Sequence, residues 1–170
     1  MDITAGIKKV GKISPGIIVA ICNLIVFWLA YNYVPRWIDW PTYRSAALAL
    51  LAGKSPYEVL TFYNPPWVLI LLIPLAVLPE RVGAAFLFVL SLIAFALLAY
   101  KYGTNLKRLP IFMLSLPVIF TLYSGQIDGI LLLGLLLPRW LGLFLLLAKP
   151  QIGMGIAIIW FIEEYKANRK

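Results

Sequence analysis

The chain has 170 residues, of which 62% are hydrophobic and 13% charged, with a net charge of +8 and a mean hydropathy of +0.91. These values lie outside the range of ordinary soluble domains and point to an integral membrane protein. A single cysteine, Cys22, excludes a disulfide framework and a cysteine zinc site, and the lack of any histidine excludes serine–histidine hydrolysis and histidine metal centres.

Residues 1–16 form a basic leader with Lys8, Lys9 and Lys12, expected on the cytoplasmic side. Leader and apolar core together look superficially like a signal peptide. The run over 17–34 ends in aromatics rather than a small-residue cleavage site, so it is expected to stay as a first membrane span. Residues 35–81 are too long and mixed for a tight turn and are read as an external loop with elements of its own. Within it, 46–52 has the character of an interfacial helix ended by Gly53, and "KSPY" reads as a turn. The stretch "PPWVLILLIPLAVLP" has prolines at both ends and one inside. At about 13 residues it is too short to cross and is expected to be a juxtamembrane or re-entrant helix.

Residues 82–100 predict a second full span, followed by a cytoplasmic loop over 101–109 with Lys101, Lys107 and Arg108. If the proline-bounded helix does not cross, this cluster and the leader fall on one face, as the positive-inside rule requires. That choice places 35–81 outside. Residues 110–162 hold short apolar pieces separated by "SGQID", "PR" and "KPQ". They are either short broken helices that bring "SGQID" and "KPQ" to the outer surface, or, over 140–162, one long span kinked at Pro150. Residues 163–170 are a basic tail. The expected fold is all-α and polytopic, with about five or six hydrophobic helices counting the short and juxtamembrane ones. The basic residues stand singly or in short clusters beside apolar runs, which suits anionic membrane lipids as partners and not nucleic acid.

Four polar features interrupt the apolar background: Asp39 with Tyr43 and Arg44; Tyr57, Tyr63, Asn64, Pro65 and Pro66; Gly125, Gln126 and Asp128; and Lys149 with Gln151. Ionisable residues at membrane depth are expensive and usually face a cavity or a partner. Lys149 is either a snorkelling lysine at a helix end or a cation for a phosphate on a lipid-linked substrate. Asp128 reads as an N-terminal helix acid favoured by the dipole or as a cleft residue, and Gln126 as a cap or a site residue. Asp39 is an interfacial acid paired with Arg36 or Arg44, or else a general base held near the surface by Trp37 and Trp40. The tyrosines suit an aromatic belt.

In order, "DWPTY", "ALALLAGKSPY", "FYNPPWVLILLIPLAVLP", "SGQIDGILLLGLLL" and "LLLAKPQIGMG" resemble the N-terminal half of the GT-C glycosyltransferases that use polyprenyl-phosphate sugars, particularly the polyprenol-phosphate-mannose-dependent mannosyltransferases. The likeness covers about residues 35–155. It implies a multi-spanning helical fold with an outward-facing active site in the plasma membrane and a lipid-linked sugar donor. It further implies an inverting transfer to an acceptor, with Asp39 as the base. Lys149 would contact the donor phosphate, while Gln126, Asp128, Tyr63, Tyr43 and Arg44 would line the cleft. No cofactor and no metal is implied. Because only half of the family's length is matched, the resemblance leaves three outcomes: a minimal enzyme, a half completed by another subunit or a second copy, or a noncatalytic subunit of a larger complex.

Overall fold

The computed structural model describes residues 14–34 and 38–168, apart from the side chain of Pro15; residues 1–13 of the basic leader, residues 35–37 with Arg36 and Trp37, and the last two residues of the tail lie outside the described residues. The described residues form α-helices and two 3-10 turns, with no strand. The all-α expectation is met. Of these helices, two are long and apolar enough to cross a membrane, so the expected five or six hydrophobic helices resolve into two long ones and a set of short ones.

The first long helix, α1 (Pro15–Tyr33), starts at Ser14, whose hydroxyl accepts from the Ile17 amide. Its 19 residues extend about 28 Å, close to a hydrocarbon thickness. Only 6% of its apolar window is buried, and it touches the rest of the molecule mainly along α4, with Phe27 against Phe86. A helix apolar on every side and left this bare needs lipid or another chain around it.

Helix α2 (Trp40–Leu51) begins six residues before the sequence reading placed it, because Pro41 is preset for the first helical turn. It stops at Gly53, which takes φ +70°. "KSPY" forms a 3-10 turn over Pro56–Glu58. Helix α3 (Trp67–Ala76) has 10 residues, about 15 Å, half of what a crossing needs; the expected short helix is present. Helix α4 (Glu80–Lys101) is the second long one. Trp40, Ala46 and Ala47 of α2, Leu69 and Leu72 of α3, Ala84 and Leu87 of α4, and Ile127, Leu131 and Ala148 from farther along make one buried core.

Trp40 overturns an expectation. It is not an interfacial anchor: its ring is 0% exposed, lies over Gly83 and donates Nε1–H to the Glu80 carbonyl at 3.1 Å. An aromatic beside an acid has the pattern of an interface residue, yet Gly83 leaves room on α4 for an indole.

The second half is chopped by proline, which suits a first helical turn and is costly farther in. Pro110, Pro117, Pro138 and Pro150 stand at the starts of α5 (Leu109–Met113), α6 (Leu116–Ser124), α8 (Arg139–Leu146) and α9 (Pro150–Ala167). Between α6 and α8 lie α7 (Asp128–Leu132) and a 3-10 turn over Leu133–Leu136. The stretch 140–162 holds parts of two separate helices, α8 and α9. Arg139 at the start of α8 pairs with Glu163 at 2.6 Å and Glu164 at 3.2 Å near the end of α9, so the two helices run antiparallel as a hairpin.

Glycine sets one contact behind that hairpin. A Cβ on Gly142 would meet the Gly134 carbonyl oxygen at 2.3 Å, while one on Gly155 would meet nothing within 4 Å. Helix propensity alone favours alanine over glycine by about 1 kcal/mol; forcing a methyl against backbone costs about 1–3 kcal/mol. Gly155→Ala is therefore expected to raise the thermal unfolding midpoint in detergent, and Gly142→Ala to lower it. Equal shifts of the same sign would remove the close approach as an explanation.

Candidate functional site

Four of the residues picked from the sequence meet in space. The meeting starts at the end of α6, where Gly125 takes the left-handed conformation, φ +69°, and the amides of Gly125 and Gln126 turn back to the Thr121 carbonyl. The Ser124 carbonyl is thereby freed, and it accepts from the amides of Ile38 and Asp39 at 3.0 and 2.8 Å. The backbone of Asp39 is thus clamped to the loop that carries Gln126.

The Asp39 side chain does not cap its own helix. Instead its Oδ2 accepts from Gln126 Nε2 at 2.7 Å. Gln126 Oε1 accepts from the Lys149 ammonium, which also pairs with Asp128 Oδ1 at 2.5 Å. The result is a chain of carboxylate, amide, ammonium and carboxylate. Asp128 sits in the first turn of α7, where its charge suits the helix dipole, and still reaches Lys149. Lys149 precedes α9 in an extended conformation, with its side chain 15% exposed and that of Asp128 22%. It is therefore not snorkelling into open water; its charge is spent within the protein.

Burial pushes the Asp39 carboxyl above its ordinary range, and the nearby Asp128 charge adds to this; the Lys149 charge and the Gln126 hydrogen bond pull the other way without cancelling it. A carboxylate made more basic by its setting is the kind that works as a general base near neutral pH. Tyr43, one helical turn after Asp39, is buried, and its phenol is pushed upward by burial and by the charges of Asp128 and Asp39. Its hydroxyl keeps its proton and is available as a donor to an oxygen in the site.

Other expected residues lie apart from this chain. Tyr63 is 85% exposed, and Tyr57 packs its ring on Phe62. Gln151 is exposed. Arg44 does not pair with Asp39: it shares the Trp40 face of α2 and donates Nη2–H to the Leu78 carbonyl at 3.2 Å, with its Nε buried and unpartnered. It braces the α3–α4 junction. Among the described residues, no three His, Cys, Asp or Glu side chains converge as a metal set.

Asn64, one of the polar residues singled out in the sequence, has a partner that the sequence does not show. Its Nδ2 donates to the Ala148 carbonyl at 3.0 Å, tying the "NPP" loop to the residue just before Lys149. A polar residue ahead of two prolines was the available signal, since the prolines fix its backbone and leave its side chain to bond elsewhere. Asn64→Ala removes a partly buried hydrogen bond and is expected to cost about 1 kcal/mol, read as a lower unfolding midpoint. No change would mean that Lys149 is held without Asn64.

Beside the chain of polar groups lies an apolar cavity of about 470 Å³, lined by Phe95, Leu98, Phe112, Val118 and Leu132, with Asp128 on its wall. Its volume is in the range of small-molecule sites, and its chemistry suits hydrocarbon. Comparison with protein-family models, with curated proteins and with solved structures gives no match to this chain.

Proposed function

We propose that the chain is a membrane-embedded glycosyltransferase of the GT-C kind, or half of one, that moves mannose or another hexose or pentose from a polyprenyl phosphate to an acceptor on the outer face of the plasma membrane. The observation that carries this reading is the convergence of Asp39 and Lys149 on the two ends of the Gln126 amide. Inverting transfer needs a base on the acceptor and a cation on the departing phosphate, both within one sugar's length.

In this mechanism the acceptor hydroxyl gives its proton to Asp39 as its oxygen attacks the anomeric carbon. The bond from that carbon to the phosphate oxygen breaks on the opposite face, and the electron pair leaves with the polyprenyl phosphate. Lys149 stabilises the charge that develops there. The cluster at rest has two carboxylates and one ammonium, so the donor phosphate takes Lys149 from Asp128 and from the Gln126 amide oxygen. The apolar cavity beside Asp128 gives the first isoprene units a place next to the charged group they are joined to. The two helices long and apolar enough to cross, α1 and α4, support the membrane setting, with the leader on the cytoplasmic side.

A second reading, a noncatalytic subunit of a larger membrane complex, is favoured by α9. Only Gly153 is buried along it, while Met154, Ile158, Ile159 and Phe161 are exposed. The test is transfer of labelled sugar from polyprenyl-phosphate donors by membranes that contain the chain. Transfer above control membranes supports the enzyme; no transfer with any donor, with the chain well expressed, favours the subunit.

A further inference from the structure

Gln126 stands between the two charged ends of the site, and only one orientation of its amide suits both. With Oε1 toward the ammonium and Nε2 toward Asp39, each contact is attractive. Turned over, the amide would set N–H against an ammonium and oxygen against a carboxylate. Its backbone is pinned as well, by the 3.1 Å hydrogen bond from its amide to the Thr121 carbonyl behind left-handed Gly125. The same loop holds the Asp39 backbone through Ser124. Carboxylate and amide are therefore fixed relative to each other at main chain and side chain alike.

We infer that Gln126 is a positioning residue that orients the Asp39 carboxylate and transmits to it whether the Lys149 ammonium is engaged at the amide oxygen. The inference deepens the proposed glycosyltransferase reading, and the word "base" rests on that reading; the coupling of Gln126 to Asp39 does not. An amide with a cation at its oxygen is polarised and becomes a stronger N–H donor. While Lys149 sits on Oε1, Asp39 is held as the anion and its basicity is damped. When a lipid phosphate draws the ammonium away, that damping ends and Asp39 becomes the stronger base. The site thereby orders its own chemistry, donor first and deprotonation second. The other charged or titratable groups toward Asp39 are Asp128 on α7 and Tyr43 on α2; Arg44 is engaged at Leu78.

The test is pH-difference infrared spectroscopy of the purified full chain in detergent. The carboxylic-acid band abolished by Asp39→Asn belongs to Asp39. Gln126→Met, similar in length but apolar, and Gln126→Glu, which sets a second carboxyl beside Asp39, should both raise its midpoint by about one pH unit or more, the loss expected for a charge-assisted hydrogen bond. A folding failure in one variant leaves the other to decide. In the transfer assay the acid limb of rate against pH should move with the midpoint. A midpoint unmoved in the folded variants overturns the inference. Wild-type protein that transfers no sugar overturns the proposed function, while the infrared midpoint still decides the role of Gln126.

Discussion

Asp39→Asn is expected to lower sugar transfer by about 10²–10⁴-fold, the usual contribution of a general base, with no loss of fold stability. The sign of the stability effect follows from the raised carboxyl of Asp39. A group whose folded pKa lies above its unfolded value binds its proton more tightly in the folded state. Its stabilising contribution is fully present below the ordinary value of 3.8 and is lost as pH rises through the folded value. At neutral pH the ionised Asp39 therefore weighs against folding, and asparagine relieves that burden while still accepting from Gln126. The unfolding midpoint of Asp39→Asn should equal or exceed that of wild type at pH 7, with the difference closing near pH 4. Undiminished transfer would end the assignment of Asp39 as base. Transfer lost together with a lower midpoint would point to a structural acid.

Lys149→Met should do the reverse to stability. It leaves Asp128 without its partner and Asp39 without the positive charge that offsets part of its burial. The pair is partly buried, so the expected destabilisation is about 1–3 kcal/mol, between the values for exposed and fully buried pairs. Donor turnover should fall by about 10²–10³-fold, as when one charge-stabilising donor is removed from an active site. Adding Asp128→Asn separates the two effects. The double variant should recover most of the lost stability, because the stranded carboxylate is gone, and none of the transfer. Transfer that returns with stability would mean that Lys149 serves the fold and not the phosphate. Each readout needs only purified protein and a membrane assay.

Much of the site was legible because its residues are rare. In a chain with only seven acids, an acid and an amide after the glycine that ends an apolar run, and a lysine before a proline, stand out without any knowledge of the fold. The short α3 and both long helices were legible from proline spacing and run length. What could not be read was which side of a helix meets which neighbour. Trp40 and Arg44 lie one turn apart on one face of α2 and brace α4 and the α3–α4 junction. Asp39 and Tyr43, also one turn apart, face the charged cluster. All four sit within six positions, and only packing against Gly83 divides them into brace and site. The hairpin of α8 on α9 was equally hidden, since it depends on Arg139 meeting Glu163 across 24 positions. The partner of Asn64 was hidden because a side-chain bond to a main-chain carbonyl leaves no periodic trace.

The chain of contacts at the site also has a history in time. Asp39 and Gln126 are 87 positions apart, and Lys149 follows Gln126 by a further 23. A ribosome adds residues at about 5–20 per second, so Asp39 is made several seconds before its amide, and the amide before its cation. During that interval the nascent acid lacks both the Gln126 amide and the Lys149 charge that flank it in the folded chain. Lys149, at the entry to α9, is thus the latch of the cluster: it arrives after both the acid and the amide it closes upon.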